Sequence, residues 1–226
     1  MDTRSSDRGS ALYHRHLDAE VRPDRFSLLG DEWELLEGVF APSFTPVTEL
    51  FTSWLPYPVG GSFLEVGSGA GVTAVTAARS GCASVTALDI GAAAVENTRR
   101  NAVRHGVADR VRVLRSDLFD ALDPDERFDL IYWNSNFVET SADSVNSTDL
   151  HHAFFDPGYQ THGRYLREAP AHLTEGGRLL LGFADLGNMP KLTALCAGQG
   201  LTIEVFRAER RDLEIPVEFL LLELCR

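Results

Sequence analysis

Cysteine is scarce in this chain: Cys82, Cys196 and Cys225 are the three present in 226 residues, far apart and in no C-x-x-C pairing. That excludes a disulfide framework and a cysteine-built zinc site, and it fits a reducing cytoplasm. Long apolar runs are missing as well. The opening stretch MDTRSSDRGSALYHRHLDAE has no apolar run of signal-peptide length. Nowhere do about eighteen apolar residues follow one another, so no membrane contact is expected. Cations are outnumbered, 21 Lys and Arg against 33 Asp and Glu, for a formal charge of −12. Affinity for a phosphate backbone comes chiefly from clustered Lys and Arg, so nucleic acid is not expected as a partner. The clusters Arg99, Arg100, Arg104 and Arg207, Arg210, Arg211 read as solvated faces. The chain has no G-x-x-x-x-G-K-[ST] phosphate loop and no H-x-x-x-H, and the adjacent His151 and His152 point apart on helix or strand. No metal is expected.

What is present is an ordinary globular composition, 44% hydrophobic, 24% charged and 9% aromatic, long enough for one substantial α/β core. Residues 1–10 are polar and expected to fray, with Leu12, Leu17 and Val21 giving a short helix a weak apolar stripe that Pro23 ends. Residues 1–58 form a lid or lead-in, with a helix over Thr48–Trp54, and residues 59–226 form the main domain. There, strands at 62–66, 84–90, 110–116, 128–134, 177–183, 201–206 and 217–224 alternate with helices at 72–79, 92–105, 165–173 and 191–197. This order predicts a seven-stranded, mostly parallel sheet with helices on both faces and an antiparallel edge hairpin whose two strands are joined by a charged loop. The Ser-rich stretch 141–150 predicts a loop over the pocket.

The strand SFLEV runs into Gly67-Ser68-Gly69-Ala70-Gly71 and straight on into a helix. Glycines at such a turn let a ligand approach the backbone while the helix N-terminus offers free N–H groups. A merely tight turn explains the same residues. The spacing is G-x-G-x-G and not the dinucleotide G-x-G-x-x-G, which disfavours an NAD-dependent dehydrogenase. Asp89 closes the next strand about twenty residues on, where a carboxylate accepts from both ribose hydroxyls. Its other reading is a helix N-cap.

LEVGSGAG, ALDI, SDLF (116–119) and IYWNSNF (131–137) together resemble the motifs of the class I S-adenosylmethionine (SAM)-dependent methyltransferase family, over roughly residues 60–224. The resemblance implies SAM as cofactor. By it, Glu65 lies near the methionine part, lined by Gly67, Gly69 and Gly71; Asp89 binds the ribose with Ile90 beside it. Asp117 accepts from the adenine amino group, the Leu118 N–H donates to the ring, and Asn134 borders the methyl group. NSNF (134–137) is similar to the N-P-P-[YF] motif of the amino-methylating subgroup, which includes the release-factor glutamine methyltransferases. Segments 42–50 and 156–169 also resemble that subgroup. Ser135 and Asn136 stand where that motif has its prolines, removing the φ-locked turn.

The catalytic candidates are Asn134, Asn136, Phe137, Tyr159 and Tyr165, together with Glu139, and with His151, His152 and Asp156 behind them. For each tyrosine, core packing is the competing reading. The short N-terminal segment and the acidic charge favour a small-molecule acceptor, so the expected activity is methyl transfer to a nitrogen or another nucleophile of a small molecule in a biosynthetic setting. Two rivals remain. One is a SAM-consuming cyclase, similar to azetidine-2-carboxylate synthases, in which the α-amino group of SAM attacks its own γ-carbon and releases methylthioadenosine. The other is a non-catalytic subunit of the same fold. Nothing in the sequence speaks to oligomeric state.

Overall fold

The computed structural model describes residues 3–18, 22–213 and 216–226. In chain order the elements are α1 (Thr3–Leu17), β1 (Arg25–Leu28), β2 (Asp31–Glu34), α2 (Val47–Trp54), β3 (Ser62–Val66), α3 (Val72–Arg79), β4 (Ser84–Asp89), α4 (Ala92–Arg104), β5 (Val111–Arg115), β6 (Phe128–Asn134), β7 (Val138–Thr140), α5 (Asp149–His152), β8 (Phe155–Pro157), α6 (Gln160–Glu168), β9 (Leu173–Ala184), α7 (Met189–Gly198), β10 (Thr202–Arg211) and β11 (Val217–Cys225). Seven strands form one sheet in the order β10-β11-β9-β6-β3-β4-β5. Pairs from β9 to β5 are parallel, and β11 and β10 add an antiparallel edge. The expected sheet, with its edge hairpin, is the one the chain forms.

The strands are apolar on both sides because both sides are covered. Phe63, Leu130, Tyr132, Leu180 and Leu221 point to the face packed by α2, α3 and α4, through Phe51, Val75, Ala78 and Val95. Their neighbours Leu64, Ile131, Trp133, Leu181 and Leu222 point to the opposite face, packed by α6 and α7 through Tyr165, Leu166, Leu192 and Cys196. After β5 the chain crosses to the other side of β3 to make β6, so the order of strand addition reverses between β3 and β6 while the strands stay parallel. The crevice at the carboxyl ends of those two strands is where an open α/β sheet binds its ligand.

The lead-in is tied to this core by two asparagines one turn apart on α4. Asn97 accepts from the Leu36 N–H at 2.8 Å and donates to the Glu34 carbonyl at 2.9 Å. Asn101 accepts from the Glu34 N–H at 2.9 Å and donates to the carbonyls of Glu34 at 3.0 Å and Ala70 at 2.8 Å. Both are fully buried. They serve the end of β2 as a neighbouring strand would. Trp33 and Phe51 are buried in the same cluster as Phe63 and Val85, so residues 26–55 share the core of the sheet.

Several local expectations are corrected. Helix α1 runs from Thr3, through the stretch expected to fray. Its packed positions are Gly9, Tyr13 and His16, whereas Leu17 is exposed; Val21 and the side chain of Leu12 lie outside the described residues. Aromatic contacts explain this: Tyr13 meets His151 and Phe154, and His16 stacks on Phe40. The helix expected at 165–173 begins at Gln160, because the Asp156 carboxylate accepts from the N–H groups of Thr161 at 3.0 Å and His162 at 2.9 Å. It tightens into a 3-10 turn at Ala169–His172 where Pro170 stands. Strand β10 continues to Arg211, so the first half of the expected charged loop is paired strand. The hairpin β1–β2 and the short parallel pair β7–β8 were not expected. Leu150, placed in the loop, lies buried in α5.

Replacing Asn101 by Ala strands the Glu34 N–H and the Ala70 carbonyl in the core. At about 1–3 kcal/mol for each unpaired buried group, the loss of stability is expected to be about 2–4 kcal/mol in urea titration. Arg100→Ala, which removes an exposed pair with Glu96 on the same helix, is expected to cost under about 0.5 kcal/mol.

Candidate active site

The turn from β3 to α3 takes Gly67, Gly69 and Gly71 through positive φ, at 69°, 54° and 80°. A Cβ on Gly71 would lie 2.8 Å from the Thr98 Cα, so α4 can pack there only against glycine. A Cβ on Gly69 would meet no atom within 4 Å. The turn is held from both sides. The Ser68 N–H donates to the Leu88 carbonyl at 3.0 Å, and Thr98 Oγ1 donates to the Gly69 carbonyl at 3.1 Å.

Two carboxylates support it. Glu65 is buried, and its Oε2 accepts from the Ala74 N–H in the first turn of α3 at 2.8 Å. Burial pushes its pKa up to about 8 against the opposing pull of the Thr73 side chain and the Ala74 N–H. Asp89 accepts from the Gly69 N–H at 2.8 Å through Oδ2 and from the Gly91 N–H at 2.9 Å through Oδ1. Burial raises its pKa to about 6, the two N–H groups oppose this, and the charge of Asp149 adds to it. The N-cap of α4 is Gly91 and not Asp89, which reaches only the N–H of Gly91 itself, so the N-cap reading of Asp89 does not hold. Each oxygen keeps a second lone pair for a ligand.

A cavity of about 830 Å³ opens over this turn, within the roughly 300–1,000 Å³ of small-ligand sites. Glu65, Gly67, Gly69, Asp89, Ile90, Asp117 and Leu118 line one half of it. Gly71 does not; it is the contact with α4. Leu118 adopts φ of 50°, with its carbonyl accepting from Ser116 Oγ at 2.7 Å. Asp117 is held by Arg164 of α6, whose Nη1 donates to Oδ2 at 2.9 Å. This donor and acceptor set fits SAM: a glycine cradle without Cβ atoms, one acid at the end of β4 and a second after β5.

Asn134, Asn136 and Phe137 line the other half. Asn134 ends β6, and its carboxamide has no hydrogen-bond partner among the described residues. Ser135 is fixed below it, its N–H and Oγ both donating to the Gly182 carbonyl, at 3.2 and 2.7 Å. Asn136 is anchored through its Nδ2, which donates to the carbonyls of His152 at 3.0 Å and Phe155 at 2.9 Å, while its buried Oδ1 has no hydrogen-bond partner among the described residues. Tyr159 and Tyr165 lie outside the cavity lining. The Tyr159 hydroxyl donates to the Phe137 carbonyl at 2.6 Å and accepts from the Asn188 N–H at 2.8 Å. The Tyr165 hydroxyl donates to the Leu180 carbonyl at 3.3 Å inside the core. For both tyrosines the packing reading describes their placement.

Glu139 is paired with Lys191 and Asn188, and Asp156 with His162; His152 reaches the cavity wall. No group of three or more metal-ligating side chains occurs among the described residues. Trp133, Asp149 and Arg164 line the cavity and were not singled out from sequence. For Trp133 a signal existed, since it precedes Asn134 at the mouth of a buried strand; for Arg164 and Asp149 the sequence carries none.

A seven-stranded sheet of this order, with a glycine turn at its switch point and acids after the next two strands, defines a class I SAM-dependent methyltransferase. The chain belongs to the methyltransferase small domain family, whose model matches residues 34–195. It is 33% identical over 128 residues to a release factor glutamine methyltransferase of Rhodopirellula baltica, a match covering 52% of this chain and 43% of that protein. Over 166 residues it is 32% identical to the Bordetella pertussis release factor glutamine methyltransferase, covering 67% and 58%. Over 160 residues it is 32% identical to ribosomal RNA small subunit methyltransferase C of Hamiltonella defensa, covering 70% and 42%. The chain spans about half the length of these curated relatives. Among solved structures, a 16S rRNA N2 methyltransferase of T. thermophilus, in complex with AdoMet and guanosine, superposes with a TM-score of 0.62 at 21% identity, over 91% of this chain and 50% of that one. A methyltransferase from Pyrococcus furiosus does so with 0.61 at 19%, over 97% and 98%. These two share the fold.

By family the chain belongs with SAM-dependent methyltransferases. The expected partners are corrected: the relatives are named for release factor, ribosomal protein uL3 and ribosomal RNA, which are macromolecules and in one case nucleic acid. Chain length and net charge are bulk properties, and neither reports the shape of the acceptor that a cavity mouth admits.

Burial of Glu65 and Asp89 has a consequence for stability. Both carboxyls lose protons in the unfolded chain near their ordinary values of 4.5 and 3.8, but in the folded chain near 8 and 6. The folded state then binds more protons, so the stability of the ligand-free protein is expected to fall as pH rises from about 4 to about 8, and to level above. Glu65→Gln keeps an acceptor for the Ala74 N–H and is expected to flatten this slope between about pH 5 and 8 in urea titrations. An unchanged slope would mean that Glu65 is ionised in the fold.

Proposed function

We propose that this chain methylates a planar NH₂ nitrogen on a macromolecule, with a glutamine side chain of a protein as the first acceptor. The observation that carries this is the unpartnered Asn134 carboxamide on the cavity wall, at the end of the strand next to the glycine turn. Its oxygen accepts one N–H of the acceptor and turns the nitrogen toward the methyl carbon, and Phe137 packs on the flat amide. Support also comes from the relatives named as glutamine methyltransferases of release factor and uL3. In this reading Glu65 and the turn of Gly67 and Gly69 border the methionine part of SAM, with Gly71 letting α4 close in behind. Asp89 accepts from the ribose hydroxyls with Ile90 beside it; Asp117 accepts from the adenine amino group, to whose ring the Leu118 N–H donates. SAM supplies an activated methyl group, so the protein's part is alignment and exclusion of water. A cytoplasmic location belongs to the same proposal, supported by three cysteines free of disulfides and, among the described residues, by no helix long and apolar enough to cross a membrane.

One observation favours a second reading. Gly9, Ala11 and Arg15 of α1, with residues 38–48, wall the acceptor side of the cavity from within the chain. Such a wall suits SAM as sole substrate, its α-amino group attacking its own γ-carbon and releasing methylthioadenosine. The nucleoside product separates the two. Methyl-labelled SAM incubated with release-factor or ribosomal acceptors is expected to label the acceptor and leave S-adenosylhomocysteine. Methylthioadenosine formed from SAM alone, well above the enzyme-free rate, would overturn methyl transfer.

Substitutions divide the site. Asp89→Ala is expected to weaken SAM binding by roughly tenfold or more in calorimetry, since charge-assisted hydrogen bonds contribute about 1.5–3 kcal/mol. Asn134→Ala is expected to cut turnover far more than SAM affinity; equal losses would make Asn134 a structural residue.

A further inference from the structure

We propose that Arg164 is the positioning residue that aims Asp117 at the adenine edge of SAM and so sets the base preference of the site; this rests on the reading of Asp117 as the acceptor for the adenine amino group. Asp117 sits on an exposed turn with its side chain half in solvent. Nothing in the turn itself selects a rotamer for it. Arg164 does so from another element, with Nη1 donating to Asp117 Oδ2 at 2.9 Å, Nη2 to Asp120 Oδ1 at 3.2 Å and Nε to Glu168 Oε1 at 3.4 Å. A guanidinium held along three edges is a rigid plate, which a lysine cannot reproduce. It occupies one oxygen of Asp117 and leaves Oδ1 for a donor in the cavity, whose wall Asp117 and Arg164 share.

The plate is itself braced. Helix α6 starts where Asp156 caps it, and His162 on its first turn packs on Trp133, a residue of the cavity wall. Ion pairs this exposed add little to folding stability. Their effect falls on orientation, and orientation decides which base edge is accepted. Adenine presents an N–H donor to the fixed carboxylate; hypoxanthine presents a carbonyl oxygen, and two acceptors face each other.

Calorimetry with S-adenosylhomocysteine and S-inosylhomocysteine tests this without turnover. The wild-type chain is expected to prefer the adenosyl ligand strongly. Arg164→Ala is expected to reduce that preference about tenfold, with Arg164→Lys intermediate. Asp120→Asn, which removes one brace of the plate away from the cavity, is expected to shift it in the same direction by less. If Arg164→Ala weakens both ligands equally, or leaves the preference intact while Asp117→Ala abolishes it, the clamp is overturned and the Asp117 reading stands. If Asp117→Ala keeps the preference, the Asp117 reading itself fails. Should Arg164→Ala not fold, Arg164→Lys and Asp120→Asn carry the same comparison, and an unchanged preference in both overturns the clamp.

Discussion

The tight passage of the backbone from β3 into α3 is the constraint on which the rest of the molecule hangs. Three residues there adopt left-handed conformations, and the contact of Gly71 with Thr98 leaves no room for a side chain. That contact brings α4 close enough for Thr98 and Asn101 to bind the turn's carbonyls. Asn101, with Asn97, then captures the end of β2, so the packing of the N-terminal hairpin depends on the same absence of a Cβ. On the other side Asp89 ties the Gly69 N–H to the end of β4. Turn, neighbouring strand, second helix and lead-in form one hydrogen-bonded block, and the ligand cavity is the space left above it.

The same block concentrates negative charge where water is scarce. Glu65 and Asp89 are both pushed toward their protonated forms by burial, and the Thr73 side chain together with N–H donors from the turn, from α3 and from the entrance to α4 offset part of the cost. A core built for stability alone would place apolar groups there. Retaining acids at this position gives up stability for a set of groups preorganised by the turn.

The two halves of the cavity are built differently. The half over the glycine turn is made by elements of the parallel sheet and is fixed by hydrogen bonds between neighbours. The half beside Asn134 is assembled from distant pieces: the end of β6, β7, α5 and the Gly9, Ala11 and Arg15 side of α1. Asn136 links them by donating to the carbonyls of His152 and Phe155, and Tyr159 by bridging Phe137 to Asn188. Of the residues taken as chemical in the sequence, Asn136 and Phe137 line the cavity and Tyr159 and Tyr165 lie behind it; the Asn134 carboxamide has no hydrogen-bond partner among the described residues, and Asn136 keeps an unpartnered Oδ1.

The amino-acid sequence by itself determined the sheet, its edge hairpin and the glycine turn with the acids that follow it, because these follow from local rules. Strand and helix periods are set over a few residues, and a glycine turn with its following acids is contiguous or regularly spaced. Only the tertiary structure decided the rest. The start of α6 depends on a carboxylate from the preceding strand, the buried face of α1 on aromatic rings more than a hundred residues away, and the setting of Asp117 on an arginine 47 positions further along. None of these has a local signature. Tyr159 and Tyr165 look alike in sequence to catalytic tyrosines because a hydroxyl's role is set by what it meets. Here each meets a backbone carbonyl inside the fold, and a carbonyl's position is fixed only when the whole chain has packed.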